Sequence, residues 1–327
     1  MTILVTGSAG HLGEALMRAL RTAGRPVAGL DLQASPHTTH VGSIVDRAFV
    51  RRAMAGVDAV VHAATLHKPH VATHSRQDFV DVNVTGTLNL LEEASAAGVR
   101  AFLYTSTTSA FGAALNPPAG APAAWITEDV KSVAKNIYGV TKRAAEDLCE
   151  LFHRRQGLAC LVLRTSRFFP EEDDSKAARD VYDDANLKLN ELLFRRVDIE
   201  DVVDAHLRAL ERAPAIGFGR YIVSSTTPFT EQDLAELRRD APSVVRRLFP
   251  DADAVYAARG WRMFPSIDRV YVNAKARADL GWRPAYDFRR ALDRLAAGED
   301  PRSPTAQTVG SKGYHDETFA EGPYPVE

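Results

Sequence analysis

Short apolar runs alternate with amphipathic stretches through the first half of the chain. Ile3 to Thr6 is apolar and rich in β-branched residues, which reads as a strand buried on both faces. Glu14 to Leu20 then carries its apolar residues at helical spacing, and Pro26 to Leu30 makes a second strand ending in Asp31. Val41 to Ile44 predicts a third strand followed by a helix to about Ala55; Asp58 to Ala64 predicts a fourth strand and Arg100 to Ser106 a fifth. Asp78 to Ala97 reads as one long helix, and another runs from Tyr138 to about His153. Ala159 to Arg164 is the sixth strand and Gly219 to Ser224 a further one. Strand and helix in turn predict a doubly wound parallel sheet, an α/β architecture. Phe229 to Leu237, with Thr230 as its cap and Glu231 in the first turn, opens a helix of a smaller lobe.

Glycines at 7, 10 and 13 lie between the first strand and the first helix. Such a turn places backbone N–H groups and the positive end of the helix dipole where a pyrophosphate can sit. Asp31 closes the second strand, where an acid can accept both ribose hydroxyls of an adenosine half and repel a 2′-phosphate. Strand, turn, helix, strand and acid in that order predict a dinucleotide site for NAD.

Composition narrows the classes. With 327 residues, 45% of them hydrophobic, the chain can bury a large core, as one α/β domain or one domain with a lobe. A formal net charge of -2 gives no electrostatic case for nucleic acid or an anionic membrane as partner. Cys149 and Cys160 are too few for a disulfide framework and read as buried thiols of a reducing compartment. The first strand begins at once, leaving no room for a signal peptide, and no apolar run is long enough to span a bilayer, so a cytoplasmic protein is expected. Beyond Glu299 the chain turns polar and reads as a tail without its own core.

Candidate chemistry lies at the ends of the predicted strands. Thr105-Ser106-Thr107-Thr108-Ser109 follows the fifth strand, at the end of a parallel sheet where ligands bind, although hydroxyl clusters also serve as turns. The stretch from Ala113 to Ala134, rich in Pro, Ala and Gly, suits a loop over the cleft. Tyr138 and Lys142, four apart on a helix, share one face. A phenol with a pKa near ~10 is a poor base at neutral pH, and a nearby ammonium favours the phenolate. His67, His70 and His74 read as a polar loop at the cleft mouth and not as a metal site, because no cysteine or acid completes a ligand spacing and Pro69 breaks a helix. Asn83 is a polar residue in an apolar stretch and suits a buried amide. Glu171-Glu172-Asp173-Asp174 reads as a solvated charge run, with cation binding or pairing to Arg167 as the alternatives.

The glycine spacing Thr6-Gly7-x-x-Gly10-x-x-Gly13, the hydroxyl cluster ending at Gly112, Tyr138-x-x-x-Lys142 and the closing Lys275…Leu280-Gly281-Trp282-x-Pro284 together resemble the short-chain dehydrogenase/reductase superfamily. They resemble in particular its extended branch, of the NAD-dependent epimerase/dehydratase type. The resemblance runs from residue 2 to about 298. It implies a Rossmann domain built from 1–165 and 198–226, an interleaved substrate lobe from 166–197 and 227–298, and a tail from 299 to 327. It implies Thr107, Tyr138 and Lys142 as the catalytic set, with Ser106 as the fallback hydroxyl. Cofactor contacts are implied for Gly7, Gly10, His11, Leu12, Gly13, Asp31, Leu32, Ser43, Ile44, Ala63, Ala64, Thr65, Asn83, Thr105, Tyr138, Lys142, Thr165 and Ser166, with Asn83 also implied to hold the active-site backbone. Substrate contacts are implied for Thr107, Thr108 and Arg167, and homodimerisation for the helices Asp78–Ala97 and Tyr138–His153, through positions such as Val82, Leu90, Leu91, Leu148 and Leu151.

Two departures matter. Arg167 stands where the branch has a sugar-contacting asparagine, and the segment from Pro170 to Arg196 is shorter than nucleotide-sugar enzymes have. Three classes follow: an oxidoreductase acting on a secondary alcohol or ketone of a small or sugar-like substrate; a sugar-nucleotide epimerase or dehydratase that retains NAD; and a non-catalytic NAD-binding regulator. The intact Thr107, Tyr138 and Lys142 count against the third, and the short segment with its acidic run favours the first, with a smaller acidic substrate or a free sugar.

Overall fold

The computed structural model describes residues 1–313, together with 316, 317 and 319. Among these residues nine strands occur: β1 (Ile3–Thr6), β2 (Val27–Asp31), β3 (His40–Val41), β4 (Ala59–His62), β5 (Ala101–Thr107), β6 (Ala124–Ile126), β7 (Cys160–Thr165), β8 (Phe218–Val223) and β9 (Arg269–Tyr271). Seven of them form one parallel sheet in the order β3-β2-β1-β4-β5-β7-β8. The chain works outward from β1 to β3 and then returns to place β4 on the other side of β1. That reversal opens a crevice above the C-terminal ends of β1 and β4.

Helices cover both faces of the sheet, which is why β1, β4 and β7 are buried along their whole length and apolar up to the polar residues at their C-terminal ends, Thr6, His62 and Arg164-Thr165. On one face the helices α1 (His11–Thr22) and Ile199–Ile216 pack with Leu16, Met17, Val203 and Trp282 in a single core. On the other face Val50, Leu90, Leu91 and Cys149 come from the helices Arg47–Ala53, Gly86–Ala96 and Ile137–Gln156. A third cluster, including Leu193, Phe229, Val244, Phe249 and Leu292, forms the lobe.

Several sequence expectations change in physical detail. The third strand is only His40–Val41, because the chain leaves the sheet at Gly42, whose N–H bonds Asp31 O at 2.8 Å; the Asn89 amide then holds the carbonyls of Ile44 and Val45. The long helix is not uniform: Val80–Thr85 adopts a wider π-helical turn between Arg76–Phe79 and Gly86–Ala96. The stretch expected as a loop over the cleft supplies β6, which pairs in parallel with β9 to make a two-stranded sheet.

The closing motif has a structural purpose. Trp282 is wholly buried and donates Nε1–H to Asp201 O at 3.1 Å, while the Asp201 carboxylate accepts from the N–H groups of Ala285 and Tyr286. The expected tail is docked as far as it is described. Ser303 donates its N–H to Asp198, Thr305 donates its hydroxyl to Glu200 at 2.8 Å, and Val309 is wholly buried in the core of the main sheet. The rest of the 299–327 segment, apart from 316, 317 and 319, lies outside the described residues. Among the described residues no helix is long and apolar enough to cross a membrane.

Candidate active site

A single cleft of about 510 Å³ runs from the glycine turn to the lobe. Its cofactor end is built by close backbone approach. Gly7 has φ +74, and a Cβ there would lie 2.8 Å from Ala64 N. A Cβ on Gly13 would lie 1.9 Å from Gly7 O, so only glycine lets α1 start this near the strand. The first N–H groups of a helix lack intrahelical acceptors and face the turn, a cradle that fits a pyrophosphate. Asp31 rims it, with Oδ2 accepting from Ala9 N and Oδ1 from Gln33 N, both at 2.9 Å. Gly10, His11, Leu12, Leu32, Ser43, Ile44, Ala63, Ala64 and Thr65 all line the same cleft.

Asn83 is a joint rather than a wall. It lies in the π-helical turn, is buried, and is not among the lining residues. Its Oδ1 accepts from Leu66 N and Thr65 Oγ1, and its Nδ2 donates to Leu66 O and Thr141 Oγ1. It therefore ties the loop after β4 to the helix that carries Tyr138 and Lys142.

The hydroxyl cluster sorts itself by partner. Ser106 lines the cleft as well, but its Oγ donates to Glu146 Oε1 at 2.6 Å inside the protein, so its hydroxyl is already engaged. Thr107 Oγ1 accepts from Ser109 N at 3.1 Å and lies within hydrogen-bonding reach of the Tyr138 phenol. Thr105, Thr107, Thr108, Tyr138, Lys142, Thr165 and Ser166 all line the cleft. Burial pushes Tyr138 up to about 12, against the smaller effect of the Thr107 hydrogen bond. Burial also brings Lys142 down to about 7. Its ammonium donates to Thr105 O at 2.7 Å and sits 4.3 Å above the Tyr104 ring. The lowering of the tyrosine pKa expected from its lysine is thus not seen in the chain by itself: burial raises it, and only the Thr107 hydrogen bond works against that.

His67 and His70 line the cleft and cap each other, His67 N donating to His70 Nδ1 at 2.8 Å. The His67 ring lies 6.4 Å from the Tyr138 ring, and burial brings its pKa down to about 3. Among the described residues no group of histidines, cysteines and acids is placed to hold a metal ion.

Arg167 reaches the substrate end but is heavily engaged. Its guanidinium pairs with Asp173, with Asp174 at 2.9 Å and with the wholly buried Glu191 at 2.6 Å. The acidic run is therefore not simply solvated. Asp173 is buried, and Asp174 bridges Arg167 and Lys68, the latter at 2.7 Å. Burial raises the Asp174 pKa, yet the two cations pull it down to about 2.

Sequence reasoning missed five contributors. Lys68, Arg195 and Arg269 line the substrate end, and Lys312 of the docked C-terminal segment lines the cofactor end, 2.5 Å from Glu14. Glu146, eight residues beyond Tyr138, could have been read as a charge on a helix face otherwise turned to the core; the others have no local signal.

The family model described as NAD dependent epimerase/dehydratase family matches residues 3–223. An uncharacterized protein of Sinorhizobium fredii is 34% identical over 170 residues, which are 50% of this chain and 40% of that protein. A UDP-glucose 4-epimerase of Rhizobium leguminosarum bv. trifolii is 28% identical, covering 88% of this chain and 94% of its own length. Among solved structures, a short-chain dehydrogenase/reductase superfamily protein from Agrobacterium tumefaciens with bound NAD is 25% identical, with a TM-score of 0.64 over 91% of this chain and 96% of that one.

Proposed function

The chain belongs to the NAD dependent epimerase/dehydratase family, and from that premise we propose that it is an NAD-dependent oxidoreductase moving a hydride at a secondary alcohol or ketone carbon of a small substrate. The observation that carries this reading is one cleft with the glycine cradle at one end and Thr107, Tyr138 and Lys142 together beside it.

Each residue has a role that its surroundings support. The N–H groups at the start of α1 hold the pyrophosphate, and Asp31 takes the adenosine ribose. Gly7, Ala63 and Ala64 let the cofactor approach the sheet. NAD bound there supplies the hydride acceptor. Tyr138, kept protonated by burial, donates to a substrate oxygen in the reductive direction; as phenolate it accepts the alcohol proton in the oxidative one. Lys142, on the same helix face, holds the cofactor ribose and supplies the cation that phenolate formation needs. Thr107 donates to the substrate oxygen, since Ser106 is held by Glu146.

Tyr138→Phe tests the assignment. It should keep NAD affinity and lose about 10²–10⁴-fold in turnover. Near wild-type turnover would refute it.

The second reading, a sugar-nucleotide epimerase, draws on the nearly full-length similarity to a UDP-glucose 4-epimerase. The two readings separate on cofactor exchange. Protein purified without added cofactor is assayed for bound nicotinamide, then offered UDP- and dTDP-sugars and small hydroxy compounds with added NAD. Net NAD reduction supports the oxidoreductase; tightly retained NAD with turnover of a UDP-sugar and no net reduction supports the epimerase.

The same reading includes a cytoplasmic homodimer. The thiols of Cys149 and Cys160 are buried and free, as suits a reducing compartment. Of the positions expected at the interface, Leu90 and Leu91 are wholly buried in the core, whereas Leu151 is exposed, together with Val80 and Val140 on the same pair of helical segments. A monomer in light scattering at micromolar concentration would refute the dimer.

A further inference from the structure

The substrate end of the cleft carries two arginines that the ion pairs of its wall leave less committed than Arg167. Arg195 follows the Asp184–Leu192 helix, pairs with Glu191 Oε1 at 2.9 Å and lies 4.0 Å from Asp173 Oδ2. Glu191 is shared, however: its one carboxylate also serves Arg167 and Arg196. Arg269 opens β9 and directs Nη1 at both oxygens of the neighbouring Asp268, with the Tyr271 hydroxyl beside it. Neither Nε–H has a partner among the described residues.

The fold brings the two together from distant parts of the chain. Tyr271 N donates to Phe194 O at 3.0 Å, which fixes β9 beside the backbone that carries Arg195. Arg269 and Tyr271, two apart on a strand, point to one face, and both line the cleft with Arg195. The Arg195 and Arg269 side chains are 23% and 14% exposed. A buried guanidinium next to others is costly without an anion. Accordingly burial, with Arg167 and Arg269 nearby, holds the Arg195 pKa below the usual arginine range despite Glu191 and Asp173, whereas for Arg269 the neighbouring Tyr271 and Asp268 outweigh burial and raise it.

The geometry points to Arg195 and Arg269 as an anion-binding pair that selects substrates carrying a single carboxylate or phosphate monoester beside the reacting carbinol carbon. Planar guanidinium forks match such groups with paired N–H donors. Asp174 lies against Arg167 at this end, and Glu171 and Glu172 line the cleft as well, so a longer diphosphate would also meet carboxylates. The inference deepens the oxidoreductase reading and rests on it for the chemistry at Tyr138, while the binding step stands by itself.

The test is calorimetric titration of the NAD-loaded protein with inorganic phosphate and, separately, with 3-hydroxybutyrate, at low ionic strength. Wild type is compared with Arg195→Gln, Arg269→Gln and a remote surface control, Arg100→Gln, at the opposite end of the sheet. At least one anion should bind, and each arginine variant should weaken it by about 10- to 100-fold while the control leaves it unchanged. Phosphate binding alone selects a phosphate monoester; hydroxybutyrate binding alone selects a carboxylate. Should Arg195→Gln fold poorly because it strips Glu191 of a partner, Arg269→Gln decides the matter, since its partner Asp268 is solvent-exposed. No binding of either anion, or binding unchanged in the arginine variants, overturns the pair. Failure of the oxidoreductase reading looks different: anions bind through the arginines, yet wild type reduces no NAD with any hydroxy acid or hydroxyalkyl phosphate.

Discussion

Replacing Glu146 by alanine is a severe test of the site's foundation. Glu146 is wholly buried on the Ile137–Gln156 helix and accepts from Ser106 Oγ at 2.6 Å and from Arg164 Nη2 at 2.7 Å and Nε at 3.1 Å. Arg220 Nε approaches its other side at 3.4 Å. Arg164 is only 2% exposed and lies over the Phe111 ring, so it cannot recover water when its carboxylate leaves. Breaking one partner of a buried pair costs about 3–5 kcal/mol, and a stranded Ser106 hydroxyl costs about 1–3 kcal/mol more, without full additivity. Taking about 4 kcal/mol, with ~2–4 °C per kcal/mol for a chain of this class, the melting temperature should fall by roughly 8–16 °C. Glu146→Leu with Arg164→Met removes both charges and should restore much of that loss, because the penalty comes from an unpaired charge and not from a missing attraction. Thermal and urea unfolding of the single and double variants measure both numbers. A loss below about 1 kcal/mol in Glu146→Ala, or a double variant no better than the worse single one, would refute the argument that the pair is a closed, dry unit under the hydroxyl strand.

Three further outcomes follow from the same geometry. Asp31→Ala should weaken NAD by about tenfold or more and narrow the preference over NADP, since the side chain also pins Ala9 N; wild type binding NADP more tightly in a fluorescence titration would show that Asp31 does not select the cofactor. Burial lowers His62 and His67 to about 3 and His206 to about 4, so between pH 6.5 and about 4 the unfolded chain binds more protons at these sites and stability should fall as pH is lowered through that window; Asp201, raised to about 7, opposes this as a single group, and urea midpoints at pH 7 and pH 5 in chloride buffer give the sign. Ending the chain after residue 302 removes the buried Val309 and the partners of Asp198 and Glu200, and should cost about 2–4 kcal/mol; an unchanged urea midpoint would mean that the docked segment contributes no stability.

What the amino-acid sequence determined by itself is whatever is encoded within a turn or two of chain. The glycine turn, Asp31 at the end of the second strand and the Tyr138–Lys142 pair are legible because backbone period and steric exclusion act locally: only glycine fits beside Ala64 N, and residues four apart share a helix face. The alternation of buried strands with amphipathic helices is legible for the same reason, and with it the parallel sheet. Tertiary structure alone decided the rest. Thr107 rather than Ser106 faces Tyr138 because a glutamate forty residues on claims the serine. Arg167, for which the sequence left pairing with the acidic run only as an alternative, is held by three carboxylates, two of them in that run. Arg195 and Arg269 meet through the pairing of β9 with β6 and its bond to Phe194, and the polar C-terminal segment docks because Val309 finds the main core. Charge pairing and burial depend on which surfaces the fold brings within a few ångströms, and no periodicity along the chain carries that distance.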